Sequence, residues 1–129
     1  MSNLKTYKLK DTWREWEIVL EVNHDLLTPE RAREINEFWT SPDYRLEEAG
    51  QDAVKAVIKM AGERLASSFL EIGGGVCRDD HSAKRWTREN LHEIEGWGGT
   101  EPGELFGWCG IRLVSADIEV NLDLELEDE

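Results

Sequence analysis

The amino-acid sequence predicts an α+β domain in two layers, with a mostly antiparallel sheet and two main helices packed on one face of it. Apolar residues recur every three or four positions in residues 52–72, which is typical of one side of a helix. Residues 13–23 and 118–126 instead alternate apolar and polar side chains, which is typical of strands with one buried face. A one-sided helix and one-sided strands cover each other in a layered domain.

Size and composition indicate one soluble domain. The chain has 129 residues, 40% of them hydrophobic, which is enough for a single core extending over residues 5–127 of one domain, 1–129. No segment reaches the ~20 consecutive apolar residues of a membrane-spanning helix, and the lysines near Met1 precede no apolar run. We therefore expect a cytoplasmic protein in which the two cysteines, Cys77 and Cys109, are free thiols.

The charge is strongly acidic and unevenly distributed. There are 28 acidic and 15 basic residues, a net charge of −13. This balance argues against direct binding to nucleic acid or to an anionic membrane, since both require clustered Lys and Arg. Residues 113–129 contain seven acidic residues and no basic ones, so more than half of the net charge lies there.

The first elements are a strand and a helix. The strand is predicted over residues 13–23, and residues 7–11 either extend it or form a strand of their own. Thr28 supplies an N-cap oxygen and Pro29 suits the first turn, so a helix is predicted from there to about Trp39. Asn36 on this helix either faces solvent or bonds a neighbouring backbone group. The predicted inward side chains are Ala32, Ile35, Phe38 and Trp39.

The long helix is the most regular segment of the chain. Residues 44–49 before it are predicted to form a short helical turn or a loop, and Asp52 then supplies the N-cap. Gly62 in the helix interior predicts close approach of another backbone. The glycines at 73–75 end the helix. The predicted inward side chains are Val54, Val57, Ile58, Ala61, Leu65, Phe69 and Ile72.

Residues 76–110 are predicted to be largely loop, with one short helix over 87–95 that Thr87 caps. Six of the eleven glycines fall between Gly96 and Gly110, interleaved with aromatic side chains. This mixture predicts a long ordered loop held down by its aromatics.

The C-terminal part is predicted to be a hairpin. A strand is predicted over residues 111–114 and a turn over 115–117. A second strand is predicted over 118–126, with one aliphatic and one almost wholly acidic face. The outer face of the sheet would then carry a row of carboxylates.

Several segments resemble the DUF2528 family of uncharacterised bacterial proteins. They are the acid-rich first strand leading into His24-Asp25, the Leu27-Thr28 helix start, the run Ile35-Asn36-Glu37-Phe38-Trp39, the helix at 53–61, Glu95-Gly96-Trp97 and Gly110-Ile111. The resemblance implies an α+β domain of unassigned function. It transfers no site residues.

Two thiols and two imidazoles could supply the four ligands of a tetrahedral zinc site. They belong to Cys77, His81, His92 and Cys109. Zinc ligands usually come as closely spaced pairs of one kind, whereas here each pair is mixed and the pairs lie far apart. The alternative is a partly buried thiol with surface histidines, and the sequence favours it. We therefore expect no metal and no cofactor, and a small zinc-dependent protein ranks third among the possible functions.

Our leading hypothesis is a non-enzymatic protein-binding or accessory domain with no catalytic residues. Tryptophan is unusually frequent, and aromatic side chains are enriched at interfaces. The partner would be another protein. The acidic surface favours a partner with a basic surface. The runner-up is a nucleic-acid mimic that inhibits a DNA- or RNA-handling protein, and the simplest alternative is a solvated acidic face without function. The candidate surface residues are Trp97, Trp108, Glu119, Asp123, Glu125 and Glu127.

Overall fold

The computed structural model describes residues 3–11, 16–100, 105–118 and 126–127. The predicted α+β class is confirmed, with helices and an open antiparallel sheet. Among the described residues no helix is long and apolar enough to cross a membrane. The elements in chain order are β1 (Leu4–Lys10), β2 (Glu17–Asn23), α1 (Pro29–Phe38), α2 (Pro42–Glu48), α3 (Ala53–Glu71), β3 (Gly75–Cys77), α4 (Asp80–Thr87), which continues as a single π-helical turn (Arg88–His92), and β4 (Ile111–Ile118).

The sheet has the strand order β1-β2-β4-β3, and every pair is antiparallel. β1 is a strand of its own and not an extension of β2, which was the second of the two alternatives predicted for residues 7–11. A register shift between Val19 and Leu20 marks a bulge in the pairing of β2 with β4. The short strand β3 pairs only with the last residues of β4, Ala116 to Ile118.

The core lies between the sheet and the helices. Alternate residues of β2 are fully buried, and those of β4 join them across the register. The aliphatic side of α3 packs against these two strands, and α1 packs against α3. The side chains that β2, β4 and α3 contribute are Ile18, Leu20, Val22, Ile111, Leu113, Ala116, Ile118, Val57, Ile58, Ala61, Leu65 and Phe69.

The two predicted main helices begin where their caps predict. The Thr28 hydroxyl accepts a hydrogen bond from the Arg31 backbone N–H at 3.2 Å, so one of the four unpaired N–H groups at the start of α1 is satisfied. The Asp52 carboxylate accepts one from the Lys55 backbone N–H at 3.2 Å in the same way.

The C-terminus of α1 is held by a buried polar network. Asn36 is 1% exposed and its amide donates to the Pro42 carbonyl oxygen at 3.2 Å, which confirms the second alternative for this residue. The Arg45 guanidinium donates to the Asn36 side-chain oxygen at 2.7 Å and to its backbone carbonyl at 2.7 Å. It also donates to the carbonyls of Trp39 and Thr40, so this one side chain satisfies carbonyls that α1 leaves unpaired at its end.

Three predicted positions of the helices are wrong. Phe38 and Ile72 were expected to point inward, but they are 51% and 65% exposed. Each lies at the C-terminal end of its helix, where the chain turns away from the core. Gly62 approaches the Leu9 side chain rather than another backbone, since a Cβ there would lie 2.8 Å from Leu9 Cδ2.

Residues 76–110 hold more structure than predicted. The helix begins at Asp80, with the Asp79 carboxylate accepting from the Ser82 N–H at 2.8 Å, and Thr87 is its last residue rather than its cap. Hydrogen bonds from Ser82, first from its backbone N–H and then from its side chain, hold the pKa of the Asp79 carboxyl below its usual value. The aromatic loop from Gly96 to Gly110 is present as predicted where it is described.

The predicted turn at residues 115–117 is wrong, because β4 runs straight through it. Ser115 pairs with Val19 of β2, and Ala116 and Asp117 pair on both sides, with β2 and with β3. Residues 115–117 contain neither Gly nor Pro, so nothing in them opposes extended backbone. The second strand of the predicted hairpin lies almost wholly outside the described residues.

Candidate protein-interaction surface

The glycine-rich loop is packed against the outward side of α1. Phe38, the last residue of α1, lies directly on Gly96, and the Trp108 ring lies directly on Gly98. A Cβ at either glycine would overlap these rings. Both glycines also have positive φ, 91° and 87°, which side chains disfavour. Glycine is therefore required at both places for the two aromatic rings to sit where they do.

Arg31 joins Trp108 to the beginning of α1. Its guanidinium donates to the Trp108 carbonyl oxygen at 2.9 Å and lies 4.8 Å from the centre of the Trp108 ring, within the range of a cation–π contact. Arg31 and Phe38 are seven residues apart, so they share one side of α1 and lie about 10 Å apart along its axis. We call these three residues, Arg31, Phe38 and Trp108, the α1 aromatic surface.

This surface is partly apolar. Phe38 is 51% exposed and contacts the Trp39 ring edge to face, with ring centres 5.0 Å apart. Trp39 itself is half-buried and packs against the core. Glu34, Glu37 and Glu95 are exposed and lie within four residues of Phe38 or Gly96 in the sequence.

The two tryptophans predicted for a surface have different locations. Trp108 is half-buried and belongs to the α1 aromatic surface. Trp97 is 1% exposed and is among the largest fully buried side chains, so it does not belong to any surface. It belongs to the core cluster, and the glycines on either side of it, Gly96 and Gly98, both have positive φ.

The predicted acidic row is mostly outside the described residues. Glu119, Asp123 and Glu125 fall there, and Glu127 is described and exposed. The described outer face of the sheet carries charges of both signs. Lys8 pairs with Glu17 at 3.3 Å, Arg112 with Glu21 at 2.8 Å and Arg78 with Asp117 at 3.5 Å. This part of the face is therefore electrically balanced rather than acidic.

The four predicted metal-ligand candidates do not come together. Cys77 lies in the edge strand β3 and is 6% exposed, His81 is exposed on α4, and Cys109 is fully buried before β4. In the described ranges, no three His, Cys, Asp or Glu side chains are placed to hold a metal ion. The arrangement supplies no zinc-binding geometry there.

His92 and Thr87 hydrogen-bond backbone groups of β4 in the part of this strand that the short strand β3 does not reach. His92 is 3% exposed and its Nε2–H donates to the Ile111 carbonyl oxygen at 2.7 Å. The Thr87 hydroxyl accepts from the Leu113 N–H at 2.9 Å and donates to the Ala83 carbonyl at 2.7 Å. Two buried backbone groups at a sheet edge thus gain side-chain partners, which gives His92 a structural role.

The environments of the thiols predict that they react at different rates. Burial raises the pKa of Cys109 to about 12, so it stays a neutral thiol, and burial followed by the nearby Asp79 charge raises the pKa of Cys77. We expect iodoacetamide at pH 8 to label Cys77 slowly, through opening of the three-residue edge strand. Cys109 is expected to be labelled only as fast as the whole domain unfolds.

Mass spectrometry of the peptides that contain each cysteine measures the two rates, and Cys77→Ala and Cys109→Ala variants assign them. Urea is the control, because in the unfolded chain both thiols should react alike. Faster labelling of Cys109 than of Cys77 in the folded protein would contradict this assignment.

Sequence reasoning missed Arg31, Phe38 and Thr87. For Phe38 the available signal was its position at the end of α1, one residue before the chain leaves the helix, next to a second aromatic residue. No local signal points to Arg31 or Thr87, because their partners Trp108 and Leu113 are 77 and 26 residues away.

Comparisons with known proteins agree with the resemblance found in the sequence. The family described as "Protein of unknown function (DUF2528)" matches residues 17–126. Two relatives are each 33% identical over 120 residues, which covers 91% of this chain and 88% of theirs. One is "Protein ea10" of Escherichia phage lambda, and the other is "Lambda prophage-derived protein ea10" of Escherichia coli O6:H1. No solved structure matches the chain significantly. The chain therefore belongs to the DUF2528 family.

Proposed function

We propose that this chain is a non-enzymatic protein-binding domain and that the α1 aromatic surface contacts its partner. The exposed Phe38 ring carries the proposal, since it is a large apolar side chain held in place on Gly96 at the surface. Rigid aromatic and arginine side chains contribute most of the affinity at protein interfaces. In Arg31, Phe38 and Trp108 the surface presents both kinds within one helix side and one loop.

The surroundings of Phe38 suggest what the partner offers. The exposed acids Glu34, Glu37 and Glu95 would favour an apolar pocket with a basic rim, since opposite charges around an interface speed association and select the partner. The two relatives are a phage protein and a prophage-derived protein of Escherichia coli, so an Escherichia coli lysate is a suitable source of partners.

Mimicry of nucleic acid lacks a supporting observation in the described residues. The described outer sheet face pairs its charges, as in Lys8 with Glu17 and Arg112 with Glu21. A phosphate-like row needs unpaired carboxylates, so the α1 aromatic surface is the better-supported site.

A Phe38→Ala variant tests the proposal by affinity capture from the lysate. Truncating a central aromatic side chain of an interface costs about 2 kcal/mol or more, which weakens binding by about 30-fold. A specific partner captured by the parent chain should therefore be lost. Tyr44→Ala is the matched control, because Tyr44 is 61% exposed on α2 and lies outside the surface.

Capture at low and at high salt separates an apolar contact from a purely electrostatic one. Both variants are expected to keep the parent's urea midpoint within the small change usual for exposed side chains. Equal capture by the parent and by Phe38→Ala, with loss in Tyr44→Ala or in neither, would contradict the proposal.

A further inference from the structure

Strand β1 is a basic edge strand of the described sheet. It is a terminal strand of the sheet that the described residues form, so the backbone groups of its outer edge have no strand partner there. Its seven residues include Lys5, Lys8 and Lys10 and no acid, in a chain that holds 28 acidic residues. Lysines discourage pairing with neutral or basic strands, but they favour a strand that carries carboxylates.

An open groove of about 410 Å³ lies below the inner side of β1, between this strand and α3. The small residues Gly62 and Ala66 of α3 line it, and the Leu9 side chain of β1 lies directly on Gly62. Its apolar lining among the described residues is Leu9, Trp16, Ile18, Gly62, Ala66, Leu70 and Ile118.

The edge and the groove together define what would fit. Side chains of a strand added to β1 would point alternately to the two faces of the sheet. On the outer face they would lie beside Lys8, and on the inner face they would enter the groove, which Leu9 and Lys10 line. The matching ligand is an extended segment that alternates acidic and aliphatic residues.

The C-terminal segment of this chain has that pattern. Residues 119–129 contain six acids and no base, with aliphatic side chains at 120, 122, 124 and 126. Leu126 is 95% exposed, so the residues that the structure describes do not cover this apolar side chain. Residues 120–126 also match β1 in length, since seven extended residues span about 24 Å.

We propose that the C-terminal segment of a second copy of this chain adds to the outer edge of β1 and places its aliphatic side chains in the groove. When each copy gives its segment to the other, the result is a closed two-fold dimer, the commonest symmetry of soluble assemblies. This contact uses a surface different from the α1 aromatic surface.

Sedimentation equilibrium of the full chain and two variants tests the exchange. The full chain is expected to dimerise, and dimerisation should weaken as salt screens the lysine–carboxylate pairs. Removal of residues 119–129 removes the central apolar side chains of the interface and is expected to raise the dimer dissociation constant by about 100-fold or more. The double variant Lys8→Glu, Lys10→Glu should also raise the dimer dissociation constant. The control for net charge is Arg33→Glu, Lys55→Glu, at two exposed helix positions, which should leave the constant unchanged.

Mixing distinguishes segment exchange from any other dimer contact. The chain without residues 119–129 keeps an intact β1 edge, and the Lys8→Glu, Lys10→Glu chain keeps an intact segment. Each alone is expected to be monomeric, and an equimolar mixture is expected to form a heterodimer through one exchange. A synthetic peptide of residues 118–129 should likewise bind the shortened chain and should bind less tightly when Lys8 and Lys10 of that chain are replaced by Glu.

Three results would overturn the proposal. The first is a full chain that remains monomeric at millimolar concentration, which includes the case in which the segment binds its own chain. The second is a dimer that persists after residues 119–129 are removed. The third is a peptide that fails to bind the shortened chain when circular dichroism shows that chain to be folded.

Discussion

Replacing Gly110 with alanine is expected to lower the free energy of unfolding by about 2–5 kcal/mol. Gly110 has a φ of 81°, which a residue with a Cβ adopts only at a cost. A Cβ there would also lie 2.8 Å from the Leu27 nitrogen and 2.9 Å from the Asn23 oxygen, and neither backbone atom can rotate away. The change would disturb the bond from the Asn23 N–H to the Gly110 carbonyl at 2.8 Å, which joins the end of β2 to the start of β4.

Urea unfolding followed by circular dichroism measures this loss, and Gly73→Ala is the matched control. Gly73 has a φ of 89°, but a Cβ there would have no atom within 4 Å. Gly73→Ala should therefore lower the free energy of unfolding only by the cost of positive φ, about 1–2 kcal/mol. Equal losses for the two variants would mean that the close approach of Leu27 and Asn23 to Gly110 contributes nothing.

Replacing Gly98 with alanine should displace the Trp108 ring. A Cβ at this position would overlap two ring atoms of Trp108 and would also lie 2.8 Å from the Trp108 Cβ, which cannot move independently of its backbone. The expected loss is about 2–4 kcal/mol in the free energy of unfolding, from positive φ and overpacking. The Arg31 contact with the ring should be lost too, so partner capture should fall with it.

Gly99→Ala is the neighbouring control, because Gly99 has a φ of 83° and no atom within 4 Å of a built Cβ. Near-ultraviolet circular dichroism, which reports tryptophan packing, should change in the Gly98 variant and stay close to the parent's spectrum in the Gly99 variant. Partner capture that survives Gly98→Ala while the spectrum changes would separate Trp108 from the binding surface.

The parts of the fold that the sequence predicts are those set by neighbours along the chain. The beginnings of α1 and α3 follow from Thr28 and Asp52, whose caps reach only three residues ahead. The period of α3 predicts which side is buried, and the alternation in β2 predicts the same for the sheet. Local physics suffices for these because each signal lies within one or two turns of the residue that it places.

The errors occur where distant segments decide the outcome. The hairpin turn at 115–117 fails because pairing with β2 and β3 keeps the backbone extended, and these partners are far away in the sequence. The aliphatic run before it gave no sign of which strands would lie on either side. Likewise, Thr87 resembles an N-cap, yet its hydroxyl bonds Leu113 of a strand that the local pattern does not reveal.

The candidate surface was only half predictable for the same reason. Trp97 and Trp108 both lie among glycines, and the sequence gives no means to tell the buried ring from the partly exposed one. The contacts of α1 distinguish the two. Arg31 near the beginning of α1 bonds Trp108, and Phe38 at the end of α1 lies on Gly96, beside Trp97 in the chain.

Photo-crosslinking from position 38 tests the proposed binding surface most directly. A benzoyl-phenylalanine replaces Phe38 in one preparation and Tyr44 in another, and each is irradiated in living Escherichia coli that contains the full chain. We predict one dominant protein adduct from position 38, absent from position 44 and lost when Gly98→Ala displaces Trp108. The same adducts from both positions, or none from position 38 while position 44 yields one, would contradict the account.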